Sequence, residues 1–369
     1  MDYIIIGGGI IGSSIARAIS AKNLGKVIVL EKEKTLGKHA SGRNSGVLHS
    51  GINQRPGSMK AKMCLDGNKR ARQYCKEHKV KMEKCGSLVV ALREKDKIGL
   101  KELKQMGQKA GVLDLKIISK KELNEKEPDV EGISALFSPN GAIVDSLGFL
   151  NSVAKDARHD GAEYEFGCEV LDIKENKVIT SKGNFKGHII NCAGLYADKI
   201  AHMMGIGLDF RIVPFRGEYM EIKNHRMNSM VYQVPDLRFP FLGVHLTKMI
   251  DKKVLVGPSS VLSFGRQSYK KEFDFKETLD MVSSMNFLRL VSSKVFLKMT
   301  YSNMKMSLSK SSYLDELRKL YKDAQQKDIR PSISGIRAQM VDKKGNMVND
   351  LVVEQTKNST HILNAVSPG

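Results

Sequence analysis

Three glycines near the start of the chain have the spacing that brings a main chain against a phosphate. In Gly7-x-Gly9-x-x-Gly12, the first glycine allows a tight turn and the second lets the backbone approach a pyrophosphate. The third lets a following helix pack closely on the preceding strand. A helix opening there presents free N–H groups and the positive end of its dipole to the phosphates. Glu31 stands where a carboxylate can accept from a ribose hydroxyl, which disfavours a 2′-phosphate and so an NADP-type ligand. The chemistry these residues point to is dinucleotide binding.

The elements around the glycines agree with that chemistry. Tyr3–Ile6 is a short β-branched run of the kind buried on both faces of a sheet. Ser13–Ala21 has helical apolar spacing at Ile15, Ala18 and Ile19, and Val27–Leu30 reads as a second strand ending at Glu31. Residues 37–58 form a long polar loop containing Ser41-Gly42-Arg43-Asn44-Ser45-Gly46-Val47-Leu48-His49-Ser50-Gly51, whose small residues and amides suit a flat polar ring or phosphates. A second strand-to-helix turn of the same sort is expected at Asn191-Cys192-Ala193-Gly194, before a helix over Tyr196–Met204. Strands are also expected at Gly86–Leu92, Ala142–Val144, Gly217–Ile222, Phe241–Leu246, Lys253–Gly257, Ile336–Val341, Leu351–Glu354 and His361–Asn364. Glu163–Ile173 and Lys177–Ile190 read as a strand and a hairpin, and helices are expected at Met59–Lys79, Glu94–Ala110 and Leu147–His159. Nucleotide-type elements recur early, midway and late. Residues 1–80, 143–210 and 331–369 are therefore assigned to a discontinuous nucleotide-binding domain, and 81–142 and 211–330 to a substrate domain.

Composition narrows the alternatives. The 369 residues suit two domains that each bury a core. No apolar run approaches the roughly 20 residues of a membrane-spanning helix, and the start has neither a basic leader nor a cleavage site, so no signal peptide is expected. Five cysteines without a Cys-x-x-Cys argue against a disulfide framework or a metal site and favour a reducing, cytoplasmic compartment. The formal net charge is +20. A lysine-rich solvated surface accounts for most of this. Attraction to an anionic membrane face is the second reading, and nucleic acid the weakest, since Trp is absent and no aromatic platforms interleave with the lysines. The most basic stretch, Lys294–Lys322, mixes seven Lys/Arg and two acids with Val295, Phe296, Leu297, Met299, Met304, Met306 and Leu308, as an amphipathic docking face would.

Taken together, the opening fingerprint, the Ser41–Gly51 loop and Asn191–Gly194 resemble the D-amino-acid-oxidase-like FAD-dependent oxidoreductases. The rarer blocks are similar to the L-2-hydroxyglutarate oxidase/dehydrogenase branch of that family. They are Pro56–Lys62, Val213-Pro214-Phe215-Arg216-Gly217-Glu218-Tyr219, Phe239–Thr247, Gly335-Ile336-Arg337-Ala338-Gln339 and Asn364–Gly369. The resemblance implies an α/β fold in which an FAD-binding, Rossmann-like (glutathione-reductase-type) domain is interleaved with a mixed-sheet α+β substrate domain. It also implies oxidation of L-2-hydroxyglutarate to 2-oxoglutarate, with electrons leaving to oxygen or a membrane quinone chain. FAD contacts fall to Gly7, Gly9, Ile11, Gly12, Glu31, Lys32, Ser41, Arg43, Asn44, Ser45, Gly46, Val170, Ala193 and Gly194. Two departures stand out. Asn53 and Gln54 replace a pair of tyrosines usual in the family. The sequence also ends at Gly369, within a motif that in the family opens a helix whose N-terminus faces the N1–O2 edge of the flavin.

That chemistry needs a base for the hydroxyl proton as the C2 hydrogen leaves as hydride to flavin N5, cations for two carboxylates, and a site closed to water. Histidine is the natural base at neutral pH. Of nine histidines, His49 and His245 lie in the motif blocks, and His39 is near the first. Arg337, after a glycine at the start of a returning strand, is placed to hold a carboxylate with bidentate geometry. Arg216 and Tyr219 complete the catalytic candidates, with one constraint. In a regular strand, 216 and 218 share a face while 219 points the other way. Lys305 and Lys310 read as surface charges. The alternatives are an amino-acid or amine oxidase on the same fold, and a non-enzymatic basic protein that binds nucleotides or docks on membranes.

Overall fold

The computed structural model describes residues 2–223, 225, 227–235, 244–257 and 259–366, except the side chains of Val295, Met299, Tyr301, Ser302, Lys305, Met306 and Leu308. The Phe239–Gly243 part of one motif block, the expected strand start at Phe241 and Ser367–Gly369 lie outside the described residues, as do the side chains expected at Lys305 and within the basic stretch at Val295, Met299, Met306 and Leu308.

Tyr3–Ile6 forms the strand that the β-branched run predicts. It pairs in parallel with Val27–Glu31 on one side and His188–Asn191 on the other. Among the described residues the sheet runs Val353–Gln355, Ser359–Ile362, His188–Asn191, Tyr3–Ile6, Val27–Glu31, Glu163–Phe166, and only Val353–Gln355 is antiparallel to its neighbour. The central strand is buried on both faces. Ile4 and Ile6 pack with Leu30, Ile189 and an antiparallel meander of Val170–Lys174, Lys177–Thr180 and Gly183–Lys186. Ile5 packs with Val29 and Ile190 toward helices Ile10–Ser20 and Ser146–His159. The segment expected as one strand and a hairpin thus divides between the sheet and the meander. The break falls at Gly167, which takes a φ of +60° that glycine alone adopts without strain.

The second sheet is mixed. Among the described residues its order is Val261–Leu262, Arg211–Ile222, Val254–Gly257, His245–Lys248, Met230–Gln233, Ser87–Ala91, Ser134–Ser138, Lys116–Ser119, with Ile329–Val341 also pairing along Arg211–Ile222. Ile329–Val341 therefore lies in this sheet, although from residue 331 it was expected with the nucleotide-binding segments. One face carries Leu88, Val90, Val231, Leu246 and Val256 against Tyr313, Leu314 and Leu317 of helix Lys310–Arg318. The other carries Val89, Ala91 and Tyr232 toward Ile52 and helix Asp96–Lys109. Each fully buried Leu, Ile or Val contributes roughly 1.5–3 kcal/mol.

A buried ion pair joins the two halves. Asp198, on the short helix after the Asn191–Gly194 turn, accepts from Arg266 Nη1 at 2.6 Å and Nη2 at 2.9 Å, and also from Ile212 N at 2.9 Å. Arg266 Nη1 donates to Leu195 O as well. The guanidinium keeps the Asp198 carboxyl below its usual range even though burial works against this.

Candidate active site

The glycine turn has the tight geometry that its spacing predicts. Gly7 has φ +103°, and a Cβ there would sit 2.5 Å from Cys192 O. A Cβ on Gly12 would sit 2.0 Å from Gly7 O, so only glycine lets helix Ile10–Ser20 approach the strand this closely. That helix has no acidic residue in its first turn and no side-chain cap from Gly9. Its N-terminus keeps the positive dipole end that suits a phosphate. Ser41 Oγ accepts from Ile10 N at 3.0 Å and holds the polar loop over the turn. Glu31 Oε2 accepts from Gly8 N and Oε1 from Glu33 N, both at 2.9 Å, so its carboxylate is locked beside the turn with further lone pairs to offer.

Several expected cofactor residues shape the loop. Asn44 Nδ2 donates to Ala40 O and Ser41 O, and its Oδ1 accepts from Gly46 N at 2.8 Å. Arg43 donates to Lys38 O and Ser334 O and stacks over the Tyr269 ring at 4.1 Å. Its carbonyl would lie 2.3 Å from a Cβ on Gly335, which ties this loop closely to the second sheet. His39 bridges Glu33 Oε1 at 2.8 Å and the Tyr269 hydroxyl at 2.7 Å. Lys32 sits over the Tyr196 ring at 4.2 Å. Val170 is on the meander strand beside the sheet, and Ala193 and Gly194 form the second turn, Ala193 N donating to Asn191 Oδ1.

On the second sheet, register gathers residues that are far apart in sequence. Tyr232 lies opposite Val89, His245 opposite Gly257, and the Val231–Leu246 pair puts Tyr232 directly across from His245. Their rings are 4.7 Å apart. One step from the Met220–Val256 pair, Tyr219 falls opposite Gly257. The face therefore carries Tyr232, His245 and Tyr219 in one cross-strand row. Glu218 pairs with Ser334 and Met220 with Pro331, so two residues on the partner strand, Ser332 and Ile333, stand opposite Tyr219. This bulge leaves Arg211–Ile222 alternating regularly. Arg337, opposite Phe215, shares the face of Tyr219. Burial lowers the pKa of the Arg337 guanidinium, and Tyr219 offsets part of the effect, which puts the two side chains close together. Arg216 is on the opposite face. Its Nη2 lies 3.1 Å from Glu218 Oε1 and its Nη1 donates to Ser268 O at 3.2 Å.

A narrow cleft, with a cavity volume of about 30 Å³, opens between the polar loop and this face. His49, Ser50 and Asn53 line it from the loop, with Tyr232 from the sheet and Val89 and Leu103 among its apolar walls. Burial pushes the His49 imidazole down to about 4, and the Lys60 cation adds to the shift, so the ring is neutral at pH 7. Tyr232 was not singled out in the sequence. Its signal was a short strand, Met230–Gln233, carrying an aromatic opposite His245.

The model of one family, FAD dependent oxidoreductase, matches residues 2–369. The chain belongs to the FAD-dependent oxidoreductase family. Three similar curated proteins are each named L-2-hydroxyglutarate dehydrogenase. That of Indibacter alkaliphilus is 38% identical over 381 residues, covering 100% of this chain and 95% of the relative. That of Escherichia coli strain K12 is 35% identical, covering 100% and 89%. The human mitochondrial one is 35% identical, covering 100% and 85%. Two solved structures share the fold. Dithionite-reduced L-α-glycerophosphate oxidase from Mycoplasma pneumoniae, with FAD bound, gives a TM-score of 0.77 at 24% identity, over 100% of this chain and 90% of that one. Glycine oxidase from Geobacillus kaustophilus gives 0.73 at 18%, over 99% and 89%.

The cofactor of an FAD-dependent oxidoreductase fits the residues present. The close approaches at Gly7 and Gly12, the helix end with no acidic residue in its first turn and the anchored Glu31 form a cradle that suits the pyrophosphate and ribose of FAD. Among the described residues no three His, Cys, Asp or Glu side chains gather as a metal-ion set, and no helix is long and apolar enough to cross a membrane.

Proposed function

We propose that this flavoenzyme oxidises L-2-hydroxyglutarate, or a close 2-hydroxy acid, to the 2-oxo acid. The observation that carries the reading is the placement of a neutral histidine, His49, in a cleft shared with Tyr232, beside the face that bears Tyr219 and Arg337. Full-length similarity to proteins named L-2-hydroxyglutarate dehydrogenase supports the substrate. When bound, FAD would supply the two-electron acceptor for the C2 hydrogen.

The chain's own residues do the rest. Arg337 holds the C1 carboxylate through its fork of N–H donors, with Tyr219 beside it. His49 accepts the hydroxyl proton on a ring nitrogen. A substrate carrying two negative charges raises the affinity of His49 for that proton and offsets the cost set by burial and Lys60. The apolar walls at Val89 and Leu103 exclude water and strengthen each of these interactions. His245, tilted against Tyr232, keeps that ring in place. In the proposed FAD site, Ser41 and Asn44 keep the loop closed over the pyrophosphate, and Lys32 lies beside Glu31. Anaerobic titration with L-2-hydroxyglutarate tests the reading. Bleaching of the flavin band supports it, whereas bleaching by 2-amino acids alone favours an amino-acid oxidase.

Electrons leave to oxygen or to a membrane quinone chain, and the +20 charge suits peripheral docking of a cytoplasmic enzyme on an anionic inner-membrane face. Salt-sensitive flotation with phosphatidylglycerol vesicles, absent with phosphatidylcholine, checks this.

A further inference from the structure

We propose that Asn53 and Ser50 form a subsite that receives the distal carboxylate of the substrate through neutral hydrogen-bond donors. The inference rests on the 2-hydroxy-diacid reading above and names the residues that would separate a diacid from a monoacid.

Both residues follow His49 on one loop and line the cleft. Each has a buried neighbour that takes up its acceptor side. The Gln54 side chain is buried, and its Nε2 donates to Asn53 Oδ1 at 3.1 Å. With that oxygen accepting from Gln54, the Asn53 amide keeps its N–H2 group as the donor it has to offer a ligand in the cleft. Ser138, fully buried, donates from Oγ to Ser50 Oγ at 2.8 Å, which leaves the Ser50 hydroxyl proton as a donor. The loop thus presents two donors beside the neutral imidazole.

No Lys, Arg, Asp or Glu side chain lines the cleft among the described residues. On the reading above, C1 lies at Arg337 on the adjoining sheet face, outside the cleft lining, the hydroxyl lies at His49, and the remaining carbons run along the apolar walls. The acceptor at its far end meets amide and hydroxyl donors there, and no cation. Neutral donors bind an anionic acceptor through charge-assisted hydrogen bonds. They also tolerate an uncharged carbonyl, because losing the negative charge leaves no cation unpaired. The subsite therefore selects for an acceptor at the distal position more strongly than for charge.

The test uses the FAD-loaded protein and three non-reacting probes, glutarate, glutaramate and butyrate, titrated against the flavin absorbance. Wild type binds glutarate more tightly than butyrate, with glutaramate within about 10-fold of glutarate. Asn53→Leu weakens glutarate about 10-fold or more, the effect of losing a hydrogen bond to a charged group, and leaves butyrate unchanged. Asn53→Asp weakens glutarate further by placing like charge at the subsite. Gln54→Met, which frees the Asn53 amide, gives a smaller loss of the same kind. Equal weakening of glutarate and butyrate, no change in either, or no glutarate preference in wild type overturns the proposal. Should L-2-hydroxyglutarate fail to bleach the flavin while the glutarate preference still depends on Asn53, the reaction reading falls and the subsite stands.

Discussion

Tyr219 and Arg337 share one face of the second sheet, while Arg216, in the same motif block as Tyr219, turns to the other and pairs with Glu218. Two neighbouring arginines thereby acquire different work. Arg337→Met is expected to raise the KM for a 2-hydroxy acid about 100-fold, the loss of a bidentate carboxylate contact. Arg216→Met is expected to leave KM near wild type and to lower the melting temperature, because the buried guanidinium that binds Glu218 and Ser268 O is lost and Glu218 keeps only Lys271, at 3.5 Å, as a cation. Steady-state kinetics and thermal melts of the two variants separate these outcomes.

Substituting His49 removes the proton acceptor without emptying the cleft. In His49→Gln the rate of flavin reduction is expected to fall by about 10²–10⁴, the usual range for a lost general base. Glutarate binding should change little. Stopped-flow reduction alongside an equilibrium titration measures both. Normal reduction in His49→Gln with collapse in His245→Gln would move the base to His245.

At Gly12 a single methyl group is decisive. Its Cβ would stand 2.0 Å from Gly7 O, a backbone atom that has no rotamer to change. Gly12→Ala is expected to purify colourless, or to need at least about 100-fold more FAD for half-saturation. Absorbance and FAD titration of the purified variant check this.

Stability depends on pH through two histidines held neutral. Burial lowers both His49 and His361 to about 4 from an ordinary value of 6.5. Between those values the unfolded chain binds more protons than the folded one, so stability rises with pH across the window and falls as the solution is acidified from about 6.5 toward 4. Every tenfold difference in proton affinity between the folded and unfolded chain is worth about 1.4 kcal/mol, and Glu127, pushed up to about 7 by burial, works in the opposite sense across the same window and offsets part of the loss. Urea titrations at pH 7 and pH 4.5 should differ accordingly, and His361→Asn should flatten the dependence. His361 is fully buried between Asn191 and Ser359, with no place in the cleft.

The nucleotide half is legible in the sequence because its determinants are local. A tight turn, a close helix and an acid at the next strand end all fall within residues 3–31, and each has a signature in residue type. His49 and Arg337 are singled out as candidates by their motif blocks. The face of Arg216 is not decided locally. It depends on whether a bulge interrupts Arg211–Ile222, and the bulge falls instead on the partner strand at Ser332 and Ile333, more than a hundred residues away. Tyr232 is hidden for the same reason. Nothing around Met230–Gln233 marks it as functional until antiparallel pairing sets it opposite His245. The strand Ile329–Val341 shows the converse limit. Its residues predict a strand, but which sheet it joins is a matter of long-range pairing.

The buried contact between Arg266 and Asp198 makes the two halves mutually dependent. Either half expressed by itself would have to hydrate or strand a charged group that the intact molecule hides, a penalty of about 3–5 kcal/mol, comparable with the entire margin by which many proteins stay folded. An excised nucleotide-binding fragment is therefore a poor carrier of FAD, and a fusion or insertion near the 195–198 or 263–268 segments is poorly tolerated.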